Sequence, residues 1–143
     1  MKRKVAILGS TGSIGKSTLE VIKKNKGKFN IVLLSANNNY KKLIEQAKYF
    51  KAENVLIKNI KFYKKVKDSL KKNKTKVYSG DISIKKIISK KLDYSMSAIV
   101  GIAGLQPTID IIKMSKVVAI ANKETIICGW DILSKTIKKY KTK

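Results

Sequence analysis

Along the chain, short continuous apolar runs alternate with stretches whose apolar residues recur at helical spacing. Val5-Ala6-Ile7-Leu8 is a run of the kind a buried parallel strand shows, ended by Gly9. Ser13 to Asn25 then puts Ile14, Thr18, Val21 and Ile22 on one helical face, and the segment Asn25 to Gly27 supplies a stop. Ile31 to Ala36 reads as a second strand, Tyr40 to Phe50 as a helix with Leu43, Ile44, Ala47 and Phe50 inward, and Val55 to Ile57 as a third strand. Further on, the pattern predicts a helix over Ile60 to Lys72, a short strand over Lys76 to Tyr78, and a helix over Asp81 to Lys90 capped by Asp81 or Ser83. A strand over Ser97 to Val100, a helix over Pro107 to Met114, a strand over Val117 to Ala121 and a closing helix from about Glu124 to Tyr140 complete the series. Such alternation predicts an α/β fold: a doubly wound, Rossmann-like, mainly parallel sheet with helices on both faces. Ligands in such sheets lie beyond the carboxyl ends of the strands.

Composition narrows the chemistry. The chain has 143 residues, enough for one domain of ordinary size, and is 43% hydrophobic, enough for a core. It contains no histidine, which excludes a Ser-His-Asp or Cys-His nucleophile built from this chain. Cys128 stands alone in an apolar stretch and is expected to be a small buried hydrophobe in a reducing compartment. Against 33 basic residues there are 9 acidic ones, a net charge of +24 that raises nucleic acid as a partner. Nearly all of that charge is lysine, however, spread along the whole chain with Arg3 the single arginine, so the lysines read as solvated faces. No apolar run is long enough for a membrane span, and the one behind the basic N-terminus is too short for a signal-peptide core, so the cytoplasm is the expected location.

Three segments carry candidate chemistry. Gly9-Ser10-Thr11-Gly12-Ser13-Ile14-Gly15 lies between the first strand and first helix, where glycines permit close approach of backbone N–H groups to a pyrophosphate at a helix N-terminus. Thr11, Ser13 and Ile14 would donate to phosphate, with Lys16 adding charge. At the end of the second strand an NAD-binding domain normally carries an acid for the ribose hydroxyls; here Ala36-Asn37-Asn38-Asn39 is followed by Lys41 and Lys42, which favours NADP. The asparagines also suit a plain turn. Gly101-Ile102-Ala103-Gly104 before Pro107, and Ala121-Asn122-Lys123-Glu124, follow later strands and occupy the same kind of position. Glu124 equally suits the positive end of a helix dipole.

Taken together, Val5 to Gly15 with Ser17-Thr18-Leu19, Ala98 to Leu105 with Pro107-Thr108, and Ala121 to Glu124 closely resemble 1-deoxy-D-xylulose 5-phosphate reductoisomerase, over essentially all 143 residues. The resemblance implies an NADPH-dependent enzyme of non-mevalonate isoprenoid synthesis, which rearranges 1-deoxy-D-xylulose 5-phosphate at a divalent metal, Mg or Mn, and reduces the aldehyde to 2-C-methyl-D-erythritol 4-phosphate. It implies that Thr11, Gly12, Ser13 and Ile14 bind the cofactor pyrophosphate region, that Asn39 sits by the adenosine phosphate, that Asn122 and Glu124 face the nicotinamide, and that Lys123 reaches the substrate. Where relatives often have Gly followed by Lys or Arg, this chain has Asn37 and Asn38, a departure that bears on 2′-phosphate recognition.

The family's Asp-Ser-Glu metal segment does not appear before Lys143, so the expectation is an NADPH-binding domain over residues 1–143, with the catalytic and C-terminal domains absent and no turnover by this chain alone. A homodimer is expected of the full-length enzyme. The competing readings are another NADP-dependent oxidoreductase, such as a semialdehyde dehydrogenase, and a basic nucleic-acid-binding domain.

Overall fold

The computed structural model describes residues 1–25 and 27–143. The element order is β1 (Arg3–Leu8), α1 (Ser13–Lys24), β2 (Phe29–Ala36), α2 (Tyr40–Phe50), β3 (Asn54–Ile57), α3 (Tyr63–Ser69), β4 (Lys76–Ser79), α4 (Ile84–Ile87), β5 (Leu92–Ser97), α5 (Leu105–Met114), β6 (Ser115–Ile120) and α6 (Lys123–Tyr140). Among the described residues, six strands form one parallel sheet in the order β4-β3-β2-β1-β5-β6. The chain winds outward from β1 to β4, then returns to place β5 on the other side of β1. The order therefore reverses between β1 and β5, and the loops at their carboxyl ends flank the crevice where doubly wound sheets take ligands.

Burial on both faces explains the continuous apolar runs. One layer packs Val5, Ile7 and Leu34 against Leu19, Leu43 and Val66, and the other packs Ala6, Leu8 and Leu33 against Ile84, Ile88 and Ile111. A smaller cluster joins Ile109, Ile112 and Leu133 between α5 and α6. At the open edge of the sheet the Lys143 N–H donates to Lys116 O (2.9 Å) while Val118 N–H donates to Lys143 O (2.8 Å), the bonding of a parallel bridge around Val117. Thr142 Oγ1 secures this return by donating to Ile112 O (2.8 Å).

Several expected elements differ in extent. The strand expected over Ser97 to Val100 is instead β5, five residues earlier at its start, and Val100 lies 85% exposed in the following loop. Its inward polar residues are satisfied by partners distant in sequence: Ser95 Oγ shares a hydrogen with Ser115 Oγ (2.7 Å) and Ser97 Oγ with Thr108 Oγ1 (2.6 Å). The helix expected over Asp81 to Lys90 contracts to α4, because Ile88 turns to extended backbone and buries beside Ile84 and Ile87. Ser83 takes the N-cap position without a side-chain hydrogen bond, and exposed Asp81 pairs with Lys58 instead. The helix expected over Ile60 to Lys72 splits into a 3₁₀ turn at Ile60–Phe62 and α3.

On α1 the buried face is Gly15, Leu19 and Ile22, whereas Ile14 and Val21 point to solvent. The contact of Gly15 with the preceding turn, described below, selects that face over the more apolar one. Cys128 is exposed, contrary to expectation. The buried stripe of α6 runs Thr125, Gly129, Leu133 and Thr136, held close to α5 because a Cβ on Gly129 would collide with Leu105 Cδ1, and Cys128 lies one position off it.

Asp93 at the start of β5 accepts from the Lys116 ammonium (2.7 Å) and the Lys4 backbone N–H (2.9 Å), and these bonds, Lys116 first, hold its carboxyl below the ordinary value of 3.8. A carboxyl depressed on folding contributes stability that is present above its unfolded pKa and lost as the pH falls through the folded one. Asp93→Asn is therefore expected to flatten the acid limb of the stability profile below pH 3.8, measured by urea unfolding across that range.

Candidate functional site

All the sequence segments with candidate chemistry converge on the carboxyl edge of the sheet. The turn after β1 is built on Gly9, whose φ of +78° excludes side chains and whose Cβ would stand 2.6 Å from Ala98 O. The turn is thus pressed against the loop after β5, and the Ala98 N–H donates to Leu8 O (2.9 Å). From the other side, α1 approaches so closely that a Cβ on Gly15 would collide with Gly9 O and lie 2.6 Å from Ser10 Cα. Gly12 is the N-cap of α1 and supplies no side chain to cap it. The first i→i−4 bond runs from Lys16 N–H to Gly12 O, so the N–H groups of Ser13, Ile14 and Gly15 have no acceptor in the helix. Gly12, Ser13 and Ile14 are exposed and Thr11 is half-buried, which leaves the positive end of α1 open to an anion.

The loop after β2 contains no carboxylate from Asn37 to Lys42. Asn39 caps α2, its Oδ1 accepting from Lys42 N–H at 3.2 Å. Asn38 Oδ1 accepts from Asn59 Nδ2 (2.8 Å), and Asn59 N–H donates to Asn37 O (3.1 Å), tying this loop to the one after β3. Lys42 is paired with Glu45 (2.8 Å), whereas exposed Lys41 makes no ion pair with a described residue. Asn59 had no signature in the sequence, because its role depends on the β2–β3 neighbour relation.

Asn122 is 5% exposed and its amide is fully engaged. Its Nδ2 donates to Ile99 O (2.5 Å) and Gly101 O (2.6 Å), and its Oδ1 accepts from Thr125 N–H (3.2 Å), capping α6. One side chain thus fastens the loop after β5 to the start of α6. Gly104 fits beneath it: a Cβ there would lie 2.8 Å from both Asn122 Nδ2 and Ile99 O. The Thr125 hydroxyl, buried below, has no hydrogen-bond partner among the described residues. Lys123 is exposed and Glu124 half-buried in the first turn of α6. Ile102, Ile127 and Trp130 are exposed apolar residues on that loop and helix.

A different opening, of about 770 Å³, lies at the amino-terminal edge, bordered by Lys4, Lys48, Lys51, Lys72, Lys76 and Lys90; it shares no residue with the three segments. Among the described residues no three carboxylate, thiol or imidazole groups gather to hold a metal ion. No described helix is long and apolar enough to cross a membrane.

A family model for 1-deoxy-D-xylulose 5-phosphate reductoisomerase matches residues 5–129. The chain belongs to that family. Curated relatives bearing that name are 51% identical over 142 residues in Pelagibacter ubique, 43% over 137 in Wolbachia pipientis of Culex pipiens and 40% over 143 in Phocaeicola vulgatus. These alignments take in 98%, 95% and 99% of this chain but only 37%, 35% and 37% of the relatives, so the chain spans little more than a third of their length. Among solved structures, the reductoisomerase from Zymomonas mobilis in complex with NADPH superposes with a TM-score of 0.93 at 32% identity, covering 99% of this chain and 38% of that one. A reductoisomerase in complex with NADPH, fosmidomycin and magnesium superposes at 0.88 and 32%, covering 96% and 34%. The Rossmann-like parallel sheet expected from the strand and helix alternation is therefore the fold of this family's NADPH-bound members.

Proposed function

We propose that this chain binds NADPH across the carboxyl edge of its sheet, as the cofactor-binding part of an enzyme that reductively isomerises 1-deoxy-D-xylulose 5-phosphate to 2-C-methyl-D-erythritol 4-phosphate. The observation that carries the reading is the open first turn of α1, uncapped by its N-cap residue and backed by a glycine turn that a Cβ at Gly15 would fill. Those donors suit a pyrophosphate, and a carboxylate-free loop with exposed Lys41 suits a further phosphate on the adenosine ribose.

In this reading Thr11, Gly12, Ser13 and Ile14 hold the pyrophosphate region. Asn39 acts at the adenosine end by fixing the start of α2, since its Oδ1 is taken by the cap. Asn122 serves the nicotinamide side by shaping the loop it braces, and Glu124 and Lys123, on the next turn, face nicotinamide and substrate respectively. Bound NADPH would supply hydride; the side chains described here bind and orient. A divalent metal belongs to the family's chemistry, but no described set of residues fits one, so no step through it is derived. For the whole enzyme we propose a cytoplasmic homodimer acting on small molecules, a reading that rests on the family resemblance.

Calorimetric titration at physiological ionic strength tests the cofactor reading. One NADPH per chain is expected, bound about tenfold more tightly than NADH, the size of one additional charge-assisted contact. Equal affinity for the two would remove the 2′-phosphate assignment. With 1-deoxy-D-xylulose 5-phosphate and Mg²⁺ added, the NADPH absorbance is expected to stay constant, because this chain gathers no metal-binding set.

A further inference from the structure

Gln46 is the one polar residue on the inward face of α2, where Leu43 and Ala47 are buried beside it. It is 5% exposed, and Ser10, within the glycine turn, is fully buried. The two are joined reciprocally: Gln46 Nε2 donates to Ser10 O (2.9 Å), and Ser10 Oγ donates to Gln46 Oε1 (2.7 Å). Among the described residues these are the only hydrogen bonds between α2 and the turn. The turn is separately tied to the end of β2, where Ser10 N–H donates to Ser35 O (2.8 Å) and Gly9 N–H to Ser35 Oγ (3.1 Å). Ser35 thus fixes the turn against the sheet, and Gln46 fixes α2 against the turn.

A buried amide on an otherwise apolar face carries a desolvation cost that an apolar residue would not, and it is offset only when both donor and acceptor are matched, as here. What the pair adds beyond packing is a defined position for α2. Its N-cap, Asn39, lies seven residues before Gln46, about 10 Å along the helix axis at the usual rise. A helix is stiff over that length, so the amide that anchors Gln46 also sets how far the Asn39–Lys42 end stands from the donors of Ser13 and Ile14.

We propose that Gln46 is a positioning residue for dinucleotide recognition: by clamping α2 to the glycine turn, it sets the spacing between the pyrophosphate donors and the loop that takes the phosphate on the adenosine ribose. The proposal rests on the cofactor reading above and deepens it. NADPH must satisfy both anchors at once, whereas NADH, without that phosphate, depends chiefly on the turn. Loosening the clamp therefore weakens NADPH more than NADH, whereas a residue that only stabilised the fold would weaken both alike.

The test is titration of the chain and of Gln46→Met, which keeps size but removes the amide, with NADPH and with NADH, alongside thermal unfolding without ligand. The expected result is a loss of about tenfold for NADPH and about twofold for NADH, within the range of coupling between sites, so that the preference ratio falls about fivefold. Equal losses, or no loss, would overturn the proposal. If Gln46→Met does not fold, Ser10→Ala decides in its place, since it removes Ser10 Oγ while leaving the Gln46 bond to Ser10 O, and the Ser10 Oγ contact with Ser35 O (3.2 Å) lost with it acts on the turn and so on both cofactors alike; a fall in the NADPH-to-NADH ratio supports the clamp and an unchanged ratio overturns it. Failure of the unsubstituted chain to prefer NADPH would defeat the 2′-phosphate assignment on which the proposal rests, and it is seen before any variant is compared.

Discussion

Gly15→Ala is expected to cost about 3 kcal/mol of stability, the upper part of the usual range for overpacking, and to abolish NADPH binding. The added methyl group would collide with Gly9 O and stand 2.6 Å from Ser10 Cα and 2.7 Å from Ser10 C. All three are backbone atoms of the turn, so no rotamer change relieves the clash. Either α1 lifts away from β1, uncovering Leu19 and Ile22, or the turn changes shape and its donors lose their common direction. Gly101→Ala is the conformational counterpart. Unlike helical Gly15, Gly101 has a backbone confined almost to glycine, φ +74° and ψ −172°, but a Cβ there meets nothing within 4 Å, so the expected cost is the conformational one alone, about 1–2 kcal/mol. Urea unfolding of the two variants separates steric from conformational cost; because alanine is otherwise favoured over glycine within a helix, no loss of stability in Gly15→Ala would show that the close approach at Gly15 is not what shapes the turn.

Asn122→Ala is expected to cost about as much, roughly 3 kcal/mol, because it leaves the Ile99 carbonyl and the Thr125 N–H without a partner and takes from Gly101 O one of its two donors. Asn122→Ser divides the effect. A serine at an N-cap position accepts from the N–H two or three residues on, as the asparagine does, but it cannot reach back to Ile99 O and Gly101 O. The serine variant is expected to recover about 1 kcal/mol of the loss, the ordinary value of a cap, while the loop from Ile99 to Gly104 stays loosened. Amide exchange reads the second part directly: Gly104, whose N–H donates to Gly101 O at 3.1 Å, should exchange faster in both variants. Protection of Gly104 retained in the serine variant would mean that the brace is dispensable.

Much of this was legible in the chain because β1 and β2 are buried on both faces and so appear as apolar runs. The reading failed where burial is polar. In β5, Ser95 and Ser97 are buried against hydroxyls from β6 and α5, partners that no local pattern reveals, so apolarity points instead to the residues after them. Cys128 has apolar neighbours that suggest burial, although the stripe that α6 buries runs through Thr125, Gly129, Leu133 and Thr136. The three site segments could be found from their glycines and amides, since each follows a strand. Their internal use could not: Asn39 and Asn122 read as ligand groups, and the structure commits their side chains to caps and, for Asn122, to a brace as well. Gln46 carries no local signal of its role, because its partner lies 36 positions away.

Whether the carboxyl edge of the sheet takes the cofactor is read residue by residue from amide chemical shifts during an NADPH titration. Shifts are expected to concentrate in Thr11 to Lys16, Asn37 to Lys42, Gly101 to Gly104 and Asn122 to Glu124. A chain of net charge +24 also attracts any anion, and the lysine-bordered amino edge offers the competing destination. Shifts confined to Lys48, Lys51, Lys72 and Lys76, with the glycine turn unmoved, would place the cofactor at the amino edge and rule out the carboxyl-edge site.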